Sequence, residues 1–223
     1  TAEAAPTVLS TYEIYFPIVS KVESAPTVAQ ASSPPPNPTE PPPPPTPVWP
    51  EPLTGQTASK IGMHVLRNED RYVLEFVRRV QPRVMKGVGE FAWLAEAKAA
   101  SPQTVTVGRI LGQDETWVNN LDPQEAARIY VASQLEAYQQ HPWVDYWEGW
   151  NEYVLVTPER AVWYGQFEAA RACEMQARGL RAAVGGFSYG TPEYSDMALF
   201  LPALEAAHRC GGLFTLHEGV PPT

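Results

Sequence analysis

Residues 143–188 decide the fold. They begin with WVDYWEGWN (143–151), continue from Thr157-Pro158 to Gly179, and finish with RAAVGGFS (181–188). The outer runs are short and apolar, with turn residues around them, as expected of buried strands. The middle stretch places Trp163, Phe167, Ala170 and Glu174 at helical spacing. Thr157 before Pro158 is a capping residue followed by proline at the first helical position. Strand, helix and strand in succession make a βαβ unit, which implies parallel strands joined by a right-handed crossover.

The same alternation extends in both directions. Further strands are expected at 60–66, 83–89, 104–111 and 213–218, and helices at 68–81, 91–100, 123–140, 158–179 and 195–210. Asp122-Pro123 repeats the capping signal. The expected class is therefore α/β, with six strands and five helices. Two parallel architectures fit it, the closed (β/α)8 barrel and the open doubly wound sheet, and both carry functional groups at the carboxyl ends of strands. A full barrel takes about 250 residues. Subtracting the first 59 from 223 leaves 164, so the expectation is an incomplete TIM-type barrel of about six β/α units.

Those first 59 residues have a different composition. Residues 1–23 include a β-prone run, TVLSTYEIYFPIVSKV (7–22). Residues 24–59 hold most of the prolines, including PPPPP at 41–45, and read as a solvated, disordered polyproline II spacer. The barrel-like domain is 60–223. Spacers of this kind commonly separate an exported domain from an anchor, which points to an extracellular or cell-surface location. The chain begins with Thr and shows no basic n-region followed by an h-region, so a processed or excised chain is expected.

The net charge of −9 argues against nucleic acid as a partner, since phosphate binding needs clustered Lys and Arg. Neutral ligands such as sugars are easier to accommodate. No run of 18 apolar residues suggests a transmembrane helix. Cys173 and Cys210 lie 37 positions apart without CxxC spacing, so a cysteine zinc site is not expected. One disulfide between them is possible but not implied, and the expectation is two buried free thiols. No metal or cofactor is implied, and His64, His217 and Glu218 lack the spacing of a metal-binding motif. The oligomeric state is not legible.

The strand ends carry the candidate chemistry: His64 on the first strand, Lys86 on the second with Glu90 after it, Arg109 on the third, Ser188 and Tyr189 after the fifth, and His217 and Glu218 on the sixth. Charges inside buried parallel strands are costly unless paired. The structural alternative is that Lys86 and Arg109 simply pair with Glu148 inside the sheet. The fourth strand is the richest, with Trp147-Glu148-Gly149-Trp150-Asn151-Glu152. Alternation puts Glu148, Trp150 and Glu152 on one face. Two close carboxylates are expected to raise one pKa toward the range of a general acid. The Trp150 indole offers a sugar-stacking platform, and Asn151 a donor to a hydroxyl.

The Trp-Asn-Glu end of strand four resembles the acid/base signature of the retaining glycoside hydrolases of the (β/α)8 superfamily known as clan A. The resemblance spans residues 60–218. It implies a glycosidase acting on a polysaccharide or oligosaccharide, with Glu152 as acid/base and Asn151 as a hydroxyl-binding partner. It places the nucleophile on a seventh strand, and the chain ends soon after the sixth, so the expectation is a truncated barrel without its nucleophile. A narrower version makes Glu218 the nucleophile. Two rivals remain. One is a non-catalytic carbohydrate-binding or adhesive module on a degenerate barrel. The other is a dinucleotide-binding oxidoreductase, suggested by the GxGxxA pattern at Gly87–Ala92.

Overall fold

The computed structural model describes residues 62–66, 71–113, 118, 120–153, 155, 157–188, 191–193 and 196–217. The expected segments 1–23 and 24–59 lie outside these, as do Tyr189 and Glu218. Eleven elements alternate: β1 (Met63–Val65), α1 (Arg71–Val80), β2 (Val84–Val88), α2 (Ala92–Ala100), β3 (Val105–Arg109), α3 (Pro123–Gln139), β4 (Tyr146–Glu148), α4 (Pro158–Gln176), β5 (Ala182–Phe187), α5 (Met197–Arg209) and β6 (Leu213–Leu216). All six strands run parallel in the order β1-β2-β3-β4-β5-β6.

Both capping signals act as read. The Asp122 carboxylate accepts from the backbone N–H groups of Gln124 and Glu125, and the Thr157 hydroxyl accepts from that of Arg160. Each satisfies donors that the first turn leaves unpaired.

The sheet is curled. Flat, its first and sixth strands would stand about 24 Å apart, at about 4.8 Å per spacing. Instead the rings of His64 on β1 and His217 just after β6 lie 6.4 Å apart, and Lys86 on β2 reaches His217 at 3.1 Å. The sequential order has no reversal, so the crevice that a doubly wound sheet offers to a dinucleotide does not form among these strands.

The core lies between the convex face of the sheet and the helices. Trp147 packs there against Phe91 and Tyr138, with ring centroids 4.9 and 4.7 Å apart. Gly108 on the neighbouring strand makes room for it, since a Cβ there would come within 2.5 Å of the Trp147 ring. Because Trp147 faces outward, Glu148 faces the concave side. β5 is buried along its whole length, as a parallel strand covered on both faces should be.

The cysteine expectation is corrected. Cys173 on α4 and Cys210, the residue capping α5, form a disulfide with Cα atoms 5.1 Å apart. The packing of α4 beside α5, two crossover helices that run in the same direction, brings their C-terminal ends together and supplies what spacing alone cannot show, a short Cα–Cα distance.

Beneath β4 and β5 lies a fully buried ion pair. The Arg171 guanidinium donates to both Glu168 carboxylate oxygens, at 2.7 and 2.8 Å, and both side chains are 0% exposed. Arg171 also donates to the carbonyls of Trp147 (3.2 Å) and Ala183 (2.7 Å), while Glu168 accepts from the Gly185 N–H (3.2 Å). Burial opposes the Arg171 charge, but Glu168 raises its pKa and keeps it protonated. The pair ties α4 to β4 through Trp147 and to β5 through Ala183 and Gly185.

Candidate functional site

Six side chains converge on the concave side at the carboxyl ends of the strands. Glu148, the last residue of β4, is 1% exposed. Lys86 from β2 lies 2.5 Å from Glu148 Oε2, and Arg109 from the end of β3 lies 3.7 Å from the same oxygen. His217 Nε2 lies 3.4 Å from Glu148 Oε1, and its Nδ1 lies 3.0 Å from Glu152 Oε1. Arg109 also donates to the Asn151 side-chain oxygen. The pairing of Lys86 and Arg109 with Glu148, offered by the sequence as the structural alternative, is therefore present.

The hydrogens of the His217 ring are constrained by its partners. The nearer neighbour of Nε2 is the Lys86 Nζ at 3.1 Å, and an ammonium only donates. Toward Lys86, Nε2 can only accept, with Nδ1 then carrying the hydrogen that Glu152 accepts; toward Glu148 Oε1, 3.4 Å away, Nε2 can only donate. A second proton on Nε2 would turn the ring into an imidazolium donating toward Glu148.

The expected upward carboxylate shift is not what Glu148 shows. Burial works to raise its pKa, but the contacts with His217 and Lys86 outweigh burial and hold it at about 2. Two nearby cations reverse what two nearby carboxylates alone would do. Lys86 is lowered because loss of its hydration outweighs the pull of Glu148. Arg109 is lowered by burial as well. His64 is pushed down to about 4, first by desolvation and then by the charges of Lys86 and Arg109. It is neutral at pH 7.

Glu152 has a distinct backbone. Its φ is +51°, in the left-handed region that non-glycine residues seldom adopt. Its N–H donates to the Gly186 carbonyl at 2.8 Å. Gly186 itself has φ +64°, and a Cβ there would lie 3.0 Å from the Trp150 carbonyl oxygen and 3.5 Å from Glu148 Cγ. The Gly186 N–H donates to the Thr215 hydroxyl at 3.1 Å. The loop after β4 is thus fastened to β5, and β5 to β6, at the point where Glu152 emerges. With its side chain 37% exposed, Glu152 remains open to solvent.

Trp150 differs from expectation. β4 ends at Glu148, so strand alternation does not extend to residues 150 and 152. Trp150 is 1% exposed and stacks on Phe167 at 4.4 Å and Tyr153 at 5.3 Å in the layer between sheet and helices. Its ring is not presented as a platform on the concave face. Glu90 is exposed after β2, where its carbonyl accepts from Trp93 Nε1, and Ser188 accepts from Thr191 through its carbonyl.

Compared with known protein families, curated proteins and solved structures, the chain has no significant match. Among the described residues, no group of three or more His, Cys, Asp or Glu side chains is placed to hold a metal ion. No helix among them is long and apolar enough to cross a membrane.

Sequence reasoning missed Gly186, Thr215 and the Glu168–Arg171 pair. The Gly185-Gly186 doublet inside an apolar strand was the available signal for the first, because strand glycines mark bulges and close approaches. Glu168 and Arg171 share a helix face with Tyr164 and Met175, and charge on an apolar stripe is a signal for a buried pair.

Proposed function

We propose that this chain carries a carbohydrate site and that Glu152 is the acid/base of a retaining glycoside hydrolysis, in a (β/α)8-type fold similar to clan A. The observation that carries the reading is the division of labour between the two carboxylates. Glu148 is buried, ionised and engaged by cations, whereas Glu152 stands half-open beside it with His217 on one oxygen. Glu152 as carboxylic acid protonates the glycosidic oxygen, and as carboxylate it then activates water. Retention requires a second carboxylate about 5–5.5 Å away. Glu148, tied to Lys86, is a poor nucleophile, so the attacking group is assigned outside the described residues, to Glu218 or to a seventh strand. Asn151, oriented by Arg109, holds a sugar hydroxyl. The disulfide supports an extracellular or cell-surface location, because such bonds persist in oxidising compartments.

The test is hydrolysis of oligosaccharides by wild type and Glu152→Gln. Loss of reducing-sugar release by a factor of about 10²–10⁴ in the variant is expected for removal of a general acid/base. Equal rates overturn the assignment.

A second reading, sugar binding without hydrolysis, is favoured by the same engagement of Glu148. It predicts measurable binding with no release of reducing ends in either protein.

A further inference from the structure

β5 breaks its register at Gly185 and Gly186. Gly185 pairs with Thr215 and Phe187 with Leu216, so Gly186 is the extra residue of a bulge. Both glycines have positive φ, +106° and +64°, which favours a residue without a Cβ. A bulge disrupts the ladder locally, and backbone groups in a buried strand then need other partners. Here each of the four has one. The Gly185 N–H donates to the Glu168 carboxylate at 3.2 Å, and the Gly185 carbonyl accepts from the Tyr164 hydroxyl at 2.7 Å. The Gly186 N–H donates to the Thr215 hydroxyl at 3.1 Å, and the Gly186 carbonyl accepts from the Glu152 N–H at 2.8 Å.

Three of these partners are side chains fixed from other elements. Arg171 holds Glu168 with two bonds. Tyr164, on the same helix, is fully buried and stacks on Tyr153 at 4.3 Å. Thr215, on β6, gives its own hydrogen to the Val184 carbonyl at 3.3 Å, so its oxygen is turned to accept from Gly186. The fourth partner is the backbone of Glu152. Pairing of β4 with β5 stops at Glu148, so Glu152 lies past the ladder, at a φ of +51° that a non-glycine residue keeps only when its surroundings hold it there.

We infer that the bulge in β5 is what places Glu152, and that Thr215 and Tyr164 are positioning residues for it, acting through Gly186 and Gly185. β6 then holds Glu152 at two points. Thr215 fixes its backbone by way of Gly186, and His217, two residues further on, faces its side chain with Nδ1 3.0 Å from Oε1. Bulges recur beside functional sites because they re-aim side chains, and here the re-aimed side chain belongs to the neighbouring loop. The placement rests on geometry alone. What Glu152 does once placed rests on the acid/base reading.

The test uses the labelled full chain without any sugar, so its failure is separate from failure of the hydrolysis reading. Thr215→Val and Tyr164→Phe each delete one hydroxyl and keep the shape of the side chain, and Thr215→Ser keeps the hydroxyl. NMR hydrogen exchange follows the Glu152 amide against that of Val131, buried in the middle of α3. The Glu152 carboxyl carbon and the His217 ring nitrogens are recorded at pH 7. In Thr215→Val and in Tyr164→Phe the Glu152 amide is expected to exchange about fivefold or more faster relative to Val131, the scale of one hydrogen bond. The Glu152 and His217 signals should move with it, and Thr215→Ser should keep the wild-type values. Circular dichroism checks folding, and if one variant fails to fold the other decides. A folded variant in which Glu152 exchanges as in wild type, or no faster relative to Val131, overturns the inference. So do unmoved Glu152 and His217 signals, or a Thr215→Ser protein that behaves like Thr215→Val.

Discussion

Replacing Arg171 by Met tests the brace that sets the site. The side chain is 0% exposed and makes two bonds to Glu168 and one each to the carbonyls of Trp147 and Ala183. Methionine has a similar length and would sit beside Met175, which Arg171 now contacts. Steric loss is therefore small, and the cost is electrostatic. Glu168 would be left as a buried carboxylate with only the Gly185 N–H at 3.2 Å. Stranding one member of a buried pair costs about 3–5 kcal/mol, against a total stability of about 5–15 kcal/mol for a domain. In urea, with a slope of about 2 kcal/mol/M, the midpoint should fall by about 1.5–2.5 M. The assay is urea unfolding at pH 7, followed by far-ultraviolet circular dichroism and tryptophan fluorescence. Adding Glu168→Gln to Arg171→Met removes the stranded charge while keeping an acceptor for Gly185. The double variant should therefore be more stable than Arg171→Met alone. A midpoint shift below about 0.5 M for the single variant, or a double variant less stable than it, would refute the reasoning.

Gly186→Ala places a Cβ 3.0 Å from the Trp150 carbonyl oxygen at φ +64°, and should cost about 1–3 kcal/mol in thermal or urea unfolding. The disulfide closes a loop with a sequence separation of 37, so the Cys173→Ala/Cys210→Ala protein should be less stable by about 3–4 kcal/mol on the chain-entropy account, read from the same unfolding curves. His64 should titrate near 4 instead of its ordinary 6.5 when its ring is followed by NMR. Since its folded pKa lies below the unfolded one, its contribution to stability is present above pH 6.5 and is lost as the pH falls toward 4. Glu148, held at about 2 from an ordinary 4.5, behaves likewise at lower pH. Stability should drop further as the pH falls from about 4.5 toward 2, and Glu148→Gln should flatten that part of the profile.

The architecture was legible because each element carries its own period. Eleven elements alternate as the apolar spacing and the Asp122-Pro123 and Thr157-Pro158 signals require. The extent of β4 was not. Residues 143–151 read as one strand, yet only Tyr146–Glu148 pair. Val144 turns back to His141 through a backbone hydrogen bond, and after Gly149 the chain leaves the ladder for a positive φ at Glu152. Those are tertiary effects, invisible to alternation. Trp150 illustrates the same limit. An indole near a carboxylate looks like a platform, but a large aromatic surface gains more from the stack with Phe167 and Tyr153. The convergence of Lys86, Arg109, Glu148, Asn151, Glu152 and His217 was legible from one rule, that parallel strands present functional groups at their carboxyl ends. Which of them would be engaged by the others depended on the curl, and no local pattern encodes it. The disulfide was missed for a related reason, since 37 residues of separation say nothing about the packing of α4 on α5.

The most direct test of a carbohydrate site at this rim is an NMR titration of the labelled chain with a panel of oligosaccharides, following the His217 ring, the Asn151 side-chain amide and the Glu152 carboxyl carbon. The account predicts that a binding sugar shifts these three signals together, with His64 close behind. A sugar that binds while leaving all three unmoved, or a panel in which none binds, would contradict it.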